Sequence, residues 1–234
     1  MSTRRYDAVS FDLDGTLIDT AGEIVEAVNA TLVEAGLAAR PEREVVNLIG
    51  NGLRALMMNL LARILLEQPA LADKLHAEVL LHRVEAIYGS LAGQSAQPYP
   101  GALRALVDLR EAGVKTACVT NKDGAFTRRL LEATGLAAHL DVVVAGDSLA
   151  HKKPHPSVLR TAAERLGVGT DRLAHVGDSR TDIEAARNAG VAAWAVPYGY
   201  NGGEPVALAQ PARLFTNLGE VTRHVLGDPQ AKAA

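Results

Sequence analysis

Four times along this chain a helix-patterned stretch ends at a glycine and leads on to a short apolar run rich in Val and Ala. Helical patterning covers residues 102–112, 125–134, 157–166 and 182–189, and Gly113, Gly135, Gly167 and Gly190 stand where C-terminal caps belong. Apolar runs at residues 6–11, 114–120, 142–145, 173–176 and 191–196 lack the alternation of a half-wet strand and read as strands buried on both faces. This pattern predicts an α/β fold: an open parallel sheet covered by helices on both sides, with any ligand at the carboxyl ends of the strands.

Residues 19–96 break the alternation. Strand signals are missing there, and apolar residues recur at helical spacing: Ile24, Val28 and Leu32; Leu53, Leu56, Met57, Leu60, Leu61 and Ile64; Leu75, Val79, Val84 and Ile87. Pro41 and Pro69 separate the helices, and Gln97-Pro98-Tyr99-Pro100-Gly101 marks the return to the α/β pattern. The reading is a helical module inserted after the first strand, which divides the chain into an α/β core at 1–18 and 97–234 and a helical unit at 19–96. Both connections fall beside the first strand's end, where a hinged lid excludes water and adds substrate contacts. Residues 227–234 read as a frayed tail.

Composition narrows the class. A chain of 234 residues, 48% hydrophobic, can bury a substantial core. With 24 Lys and Arg scattered against 27 Asp and Glu there is no basic footprint for nucleic acid. No apolar run approaches membrane-spanning length, and the polar, basic residues 1–5 followed by an apolar run broken at Asp12 and Asp14 argue against a secretory leader. The single cysteine, Cys118, excludes an internal disulfide and lies in an expected buried strand, which suits a reducing cytoplasm.

The chemistry sits at the expected strand ends. In Phe11-Asp12-Leu13-Asp14-Gly15-Thr16 two carboxylates two residues apart project to one side of an extended chain, where they repel unless a cation or proton intervenes. Magnesium, which is held by one or two carboxylates plus substrate phosphate, is the natural ion; an Asx-type turn is the plainer reading of the same residues. The second strand ends in Thr120-Asn121, suited either to phosphate oxygens or to capping a helix. Lys153 precedes Pro154 in the loop beyond the third strand and can direct a compact positive charge at phosphate, although Lys-Pro loops are also common on surfaces. The fourth strand ends in Gly177-Asp178-Ser179-Arg180-Thr181-Asp182, with Asp178 the better metal ligand and Asp182 either a helix cap or a group that reaches a metal through water. His151, His155 and His175 lack paired ligand spacing and read as loop or packed residues, and Arg128 and Arg129 as a solvated helix face.

Taken in this order, Asp12-Leu-Asp14-Gly-Thr16, Thr120-Asn121, Lys153-Pro154 and Gly177-Asp178-Ser179-Arg180-Thr181-Asp182 resemble the four motifs of the haloacid dehalogenase superfamily, and the helical insert is similar to the cap placed there. Ile49-Gly50-Asn51-Gly52, Tyr99-Pro100-Gly101, Val119-Thr120-Asn121-Lys122 and Tyr198-Gly199-Tyr200-Asn201 resemble bacterial phosphoglycolate phosphatases, with departures at Thr181 and Gly202. The resemblance implies a Rossmann-like core of strand order 5-4-1-2-3.

It also implies a magnesium-dependent phosphomonoester hydrolase. Asp12 would be the nucleophile that becomes an aspartyl-phosphate, and Asp14 the general acid and base. Asp12, Asp178 and the Asp14 backbone carbonyl would hold magnesium. Thr16, Thr120, Asn121 and Lys153 would bind phosphate, with Ser179 and Asp182 supporting them. In the cap, Gly50, Asn51, Gly52 and Arg54 would meet a small carboxylate; Gly-Asn-Gly also reads as a generic helix-leading turn. The implied substrate is a small phosphorylated metabolite, 2-phosphoglycolate first, handled by a cytoplasmic monomer or homodimer. Phosphatases for sugar phosphates share much of the pattern, and a sugar-phosphate mutase or a receiver-type signalling module are the other readings.

Overall fold

The computed structural model describes residues 4–227. Its core is a sheet of six parallel strands: β1 (Ala8–Phe11), β4 (Lys115–Val119), β5 (Val142–Val144), β6 (Leu173–Gly177), β7 (Ala192–Ala195) and β8 (Arg213–Leu214), in the order β5-β4-β1-β6-β7-β8. Without the edge strand β8 this is the expected 5-4-1-2-3 order read from the other side. The chain leaves β1 toward β4 on one side and reaches β6 on the other, so a switch point lies at the carboxyl end of β1.

Two helical layers cover the sheet because its residues alternate faces. Val9 and Phe11, Cys118, and Ala174 and Val176 pack with α5 (Ala102–Glu111), α6 (Gly124–Ala133) and α9 (Leu218–Leu226). Ala8, Ala117, Val119 and Leu173 pack with α7 (Ser157–Leu166) and α8 (Arg180–Ala189), whose inner faces mix alanines with Val158, Leu159, Leu166 and Ile183. Gly113, Gly135, Gly167 and Gly190 all adopt the left-handed conformation that ends these helices. Cys118 is fully buried, a small core residue.

The inserted segment is helical, with α1 (Ala21–Glu34), α2 (Glu42–Val46), α3 (Leu53–Glu67) and α4 (Ala77–Leu91). It has its own core, in which Met57, Leu60, Val84 and Tyr88 are fully buried, each large aliphatic side chain contributing about 1.5–3 kcal/mol by leaving water. Val79, expected on the apolar face, is 64% exposed: the buried stripe of α4 runs through Leu80, Leu81, Val84 and Tyr88, about one residue out of phase. A further difference lies at the connections, where β2 (Ile18–Asp19) and β3 (Gln97–Pro98) pair antiparallel and join the two crossings into one short ribbon.

One carboxylate fixes that ribbon's surroundings. Glu23, 2% exposed on α1, accepts hydrogen bonds from the backbone N–H groups of Gly93 (3.1 Å), Ser95 (2.7 Å) and Ala96 (2.9 Å), clamping the returning chain to the departing one. Of the tail expected at 227–234, Gly227 instead caps α9, and 228–234 lie outside the described residues. Among the described residues no helix is long and apolar enough to cross a membrane.

Charge-assisted hydrogen bonds contribute about 1.5–3 kcal/mol each, and their loss leaves part-buried donors unpaired. Glu23→Ala is therefore expected to lower the unfolding free energy by about 2–3 kcal/mol, read as a fall in the urea midpoint at unchanged slope. An unchanged midpoint would mean that water replaces the clamp at no cost.

Candidate active site

Register brings the strand tips together. Phe11 lies beside Cys118 on one neighbour and Val176 on the other, so the next residues, Asp12, Val119 and Gly177, share one level and Thr120 and Asp178 follow just above. The Asp12 N–H donates to the Val176 carbonyl (2.9 Å), and the chain then turns sharply as the Leu13 carbonyl accepts from Leu17 and Ile18 (both 3.0 Å). Gly15 makes this turn at φ +79; a Cβ there would meet the Asp178 carboxylate and lie 3.0 Å from the Tyr200 ring.

Lys153 enters from the loop after β5. Its ammonium, buried with the rest of the side chain, lies 2.7 Å from Asp12 Oδ1 and 2.6 Å from Asp182 Oδ1, and donates to the Val119 carbonyl (2.8 Å). Asp182 is the most heavily partnered acid. It accepts from the Ser179 N–H (3.2 Å) and hydroxyl (2.6 Å), and its Oδ1 lies 3.2 Å from His175 Nε2, while His175 Nδ1 lies 2.9 Å from the Ser10 hydroxyl. Of the two sequence readings for Asp182, the helix start is the one its contacts serve directly. His175 is a fully buried strand residue, as expected, but it also supports the site from beneath.

Asp12, Asp178 and Asp182 each offer a carboxylate oxygen within 4.8 Å of the others, all buried. Three acids face one lysine, and the deficit in positive charge has visible consequences. Burial pushes the Asp12 carboxyl up to about 7, with Lys153 opposing and Asp182 adding to the rise. Burial and the two neighbouring acids hold Asp178 well above the usual carboxylate range. For Asp182 burial acts upward too, but Lys153 and His175 outweigh it and keep it below that range. Lys153 loses stability as a cation through burial and regains more from Asp12 and Asp182, so it stays charged.

A divalent cation fits this donor set. Asp12 Oδ1 is buried and, despite its closeness to Lys153, meets no hydrogen-bond partner at an acceptable angle among the described residues. Asp178 is held by the Tyr200 N–H (2.5 Å) and, at a long 3.4 Å, by the Thr16 hydroxyl. Hard oxygen donors without nitrogen or sulfur are the set that magnesium-like ions take.

Asp14 faces away from this cluster. Its Oδ1 accepts from the Thr20 hydroxyl (2.7 Å) and its Oδ2 lies 3.1 Å from Lys122 Nζ, at the wall of a narrow cleft of about 20 Å³ between the carboxyl ends of the strands and the inserted helices. Gly50 and Gly52 line the cleft with Leu53, Leu56 and Phe126. A Cβ at Gly52 would lie 3.2 Å from the Asn121 carbonyl, so glycine there lets the inserted segment approach the core.

Several of the expected site residues have other partners in the structure. Thr16, read as a phosphate ligand, is fully buried and reaches Asp178 instead, because the Leu13 turn points its hydroxyl under the site. The Asn121 carboxamide is committed: it donates to the Gly50 and Lys153 carbonyls (both 3.0 Å) and accepts from the Lys153 N–H (2.8 Å). Thr120 lies at the tip as expected, its hydroxyl accepting from the Lys122 N–H (3.2 Å). Asn51 is exposed and lines a separate groove with Ser179 and Thr181. Arg54, expected at the substrate, turns to α4 and pairs with Glu78 (3.0 Å) and Glu85 (3.3 Å), two acids one heptad apart on one face of that helix. Lys122, Thr20 and Tyr200 are site residues for which the strand-end pattern gave no separate signal. The Tyr200 hydroxyl accepts from the Thr20 N–H (3.0 Å) and donates to Asp19, so one residue touches both Asp178 and the first connection.

The family model described as haloacid dehalogenase-like hydrolase matches residues 9–196. The chain is 35% identical over 226 residues to the phosphoglycolate phosphatase of Escherichia coli K12, covering 91% of this chain and 90% of that protein. It is 42% identical over 206 residues to the plasmid phosphoglycolate phosphatase of Cupriavidus necator H16, with 88% and 87% covered. A crystal structure described as a predicted phosphoglycolate phosphatase from Haemophilus somnus 129pt superposes with a TM-score of 0.86 at 27% identity, over 95% of this chain and 99% of that one.

Removing one partner of a buried charge pair typically costs about 3–5 kcal/mol. Asp182→Ala removes an acceptor from Lys153, His175 and Ser179 together and is expected to lower stability by about 3 kcal/mol in urea unfolding. An unchanged midpoint would show that Asp12 and the Val119 carbonyl satisfy Lys153 without it.

Proposed function

The chain belongs to the haloacid dehalogenase-like hydrolases and is a phosphatase, and we propose that it hydrolyses 2-phosphoglycolate to glycolate and phosphate with magnesium, through an aspartyl-phosphate on Asp12. The observation that carries the mechanism is the meeting of Asp12 with Asp178, Asp182 and Lys153 at the switch point of a parallel sheet. Its setting is the cytoplasm, and residues 19–96 act as a cap over the core formed by 1–18 and 97–234.

In this reading an Asp12 carboxylate oxygen attacks phosphorus in line, the ester P–O bond breaks, and its electron pair leaves on the alkoxide. Asp14 gives that oxygen its proton. A water then attacks the aspartyl-phosphate, Asp14 takes the water's proton, and Asp12 and phosphate are released; one carboxyl serves both steps because the first leaves it ionised. Asp12, Asp178 and the Asp14 backbone carbonyl would hold magnesium, which when bound offsets the repulsion between an anionic nucleophile and an anionic ester. Lys153 and Thr120 hold the phosphoryl oxygens, supplying the positioning and charge on which phosphoryl transfer chiefly depends. Asn121 contributes by fixing Lys153, and Thr16, Ser179 and Asp182 hold the acids and the lysine in place.

Asp12→Asn is expected to abolish turnover of 2-phosphoglycolate, a loss of about 10,000-fold or more in kcat, while the variant keeps its far-UV circular dichroism. Substantial residual hydrolysis would remove Asp12 as nucleophile. Magnesium is expected to raise the Tm of the wild type, by the equivalent of about 2.7 kcal/mol at a hundredfold excess over Kd, and to raise that of Asp178→Asn far less. Equal shifts would place the ion elsewhere. In a panel of small phosphomonoesters, faster turnover of sugar phosphates would replace the substrate named here.

A further inference from the structure

The mechanism above leaves Lys122 without a task. Its ammonium is buried on the wall of the cleft beside Asp14, 3.1 Å from Asp14 Oδ2 and 4.6 Å from the centroid of the Tyr88 ring, which the inserted helix α4 supplies. A lysine so placed carries three N–H donors, and one carboxylate oxygen and one ring face do not exhaust them. The Tyr88 hydroxyl nearby is buried and has no hydrogen-bond partner among the described residues. Such a group is costly to bury alone, and it points to a ligand that completes the set.

The surroundings limit what that ligand is. Beyond Lys122 and Asp14 the cleft presents the glycine backbone at 50 and 52, one further acid, Asp123, and an otherwise apolar wall that includes Leu53, Leu56 and Phe126. A polyhydroxylated sugar would bring several hydroxyls against that apolar wall and leave them unpaired. A short carbon skeleton ending in one anionic group matches one buried cation with N–H donors to spare and a mostly apolar wall.

We propose that Lys122 is the specificity residue of this phosphatase, recognising a carboxylate on the substrate's leaving group, and that by engaging it the substrate loosens the Lys122 hold on Asp14. This rests on the reading of Asp14 as acid and base. In the structure Lys122 and Thr20 hold both Asp14 oxygens. A second carboxylate at Lys122 competes for the same ammonium and frees Asp14 Oδ2 to turn to the ester oxygen. An ester without the carboxylate leaves the pair closed. Lys122 therefore acts twice, as a contact to substrate and as a positioning residue for Asp14.

The test compares 2-phosphoglycolate with 2-hydroxyethyl phosphate, which has the same skeleton but an alcohol in place of the carboxylate. The wild type with magnesium is expected to favour 2-phosphoglycolate in kcat/KM by about 100-fold or more, and Lys122→Gln to bring that ratio close to one, whereas Lys122→Arg, which keeps the charge, retains part of it. A role confined to structure or to holding Asp14 would lower both activities together and leave the ratio intact, which would overturn the proposal. So would a wild-type ratio near one, a result that does not depend on any variant folding. Those outcomes leave the phosphatase reading standing; failure to hydrolyse either ester would remove that reading and this inference with it.

Discussion

A single buried ammonium ties the catalytic level of this molecule together. Lys153 reaches from the loop after β5 to Asp12 at the end of β1, to the Val119 carbonyl at the end of β4 and to Asp182 in the first turn of α8. Four separate stretches of chain thus meet at one atom, in a place where solvent does not screen their charges. Asp182 in turn holds His175 and Ser179, so the strand beneath and the helix start above are fixed by the same acid. The arrangement leaves Asp12 and Asp178 with more negative charge than the lysine can balance, and that remainder is what makes the site suited to a cation and a phosphoryl group.

Around this centre, polar ties run outward to the inserted helices. Glu23 clamps the returning connection, Tyr200 bonds both Asp178 and the first connection, and Asn121 links the Lys153 backbone to Gly50. Lys122 joins Asp14 to the Tyr88 ring of α4. Tyr200, Asn121 and Lys122 each have one end at the site and the other on or beside the inserted segment, whereas Glu23 ties that segment's own two connections together. These hydrogen bonds and ion pairs connect that segment to the acids without passing through the interior of the sheet.

Much of the fold was legible because its signals are local. Strands buried on both faces appear as Val and Ala runs, and glycines at 113, 135, 167 and 190 mark helix ends because the left-handed conformation costs them little. The ribbon of β2 and β3 was not legible, since two residues of pairing leave no periodicity to read. Nor was β8, an exposed two-residue edge strand. Val79 was assigned to the wrong face because a helix one residue out of phase carries the same count of apolar residues.

At the site, the sequence alone determined which groups stand at the strand ends, Asp12, Asp14, Thr120 and Asp178, and which follow in the next loop or helix turn, Lys153 and Asp182. Only the tertiary structure decided what each one faces. Thr16 turns under Asp178, the Asn121 carboxamide is spent on Lys153 and Gly50, and Arg54 is taken by Glu78 and Glu85. Lys122 and Tyr200 become site residues through partners 108 and 181 positions away in the chain, Asp14 and Asp19. Residue type and spacing set the local conformation, whereas the partner of a buried charge depends on which distant segments packing brings beside it.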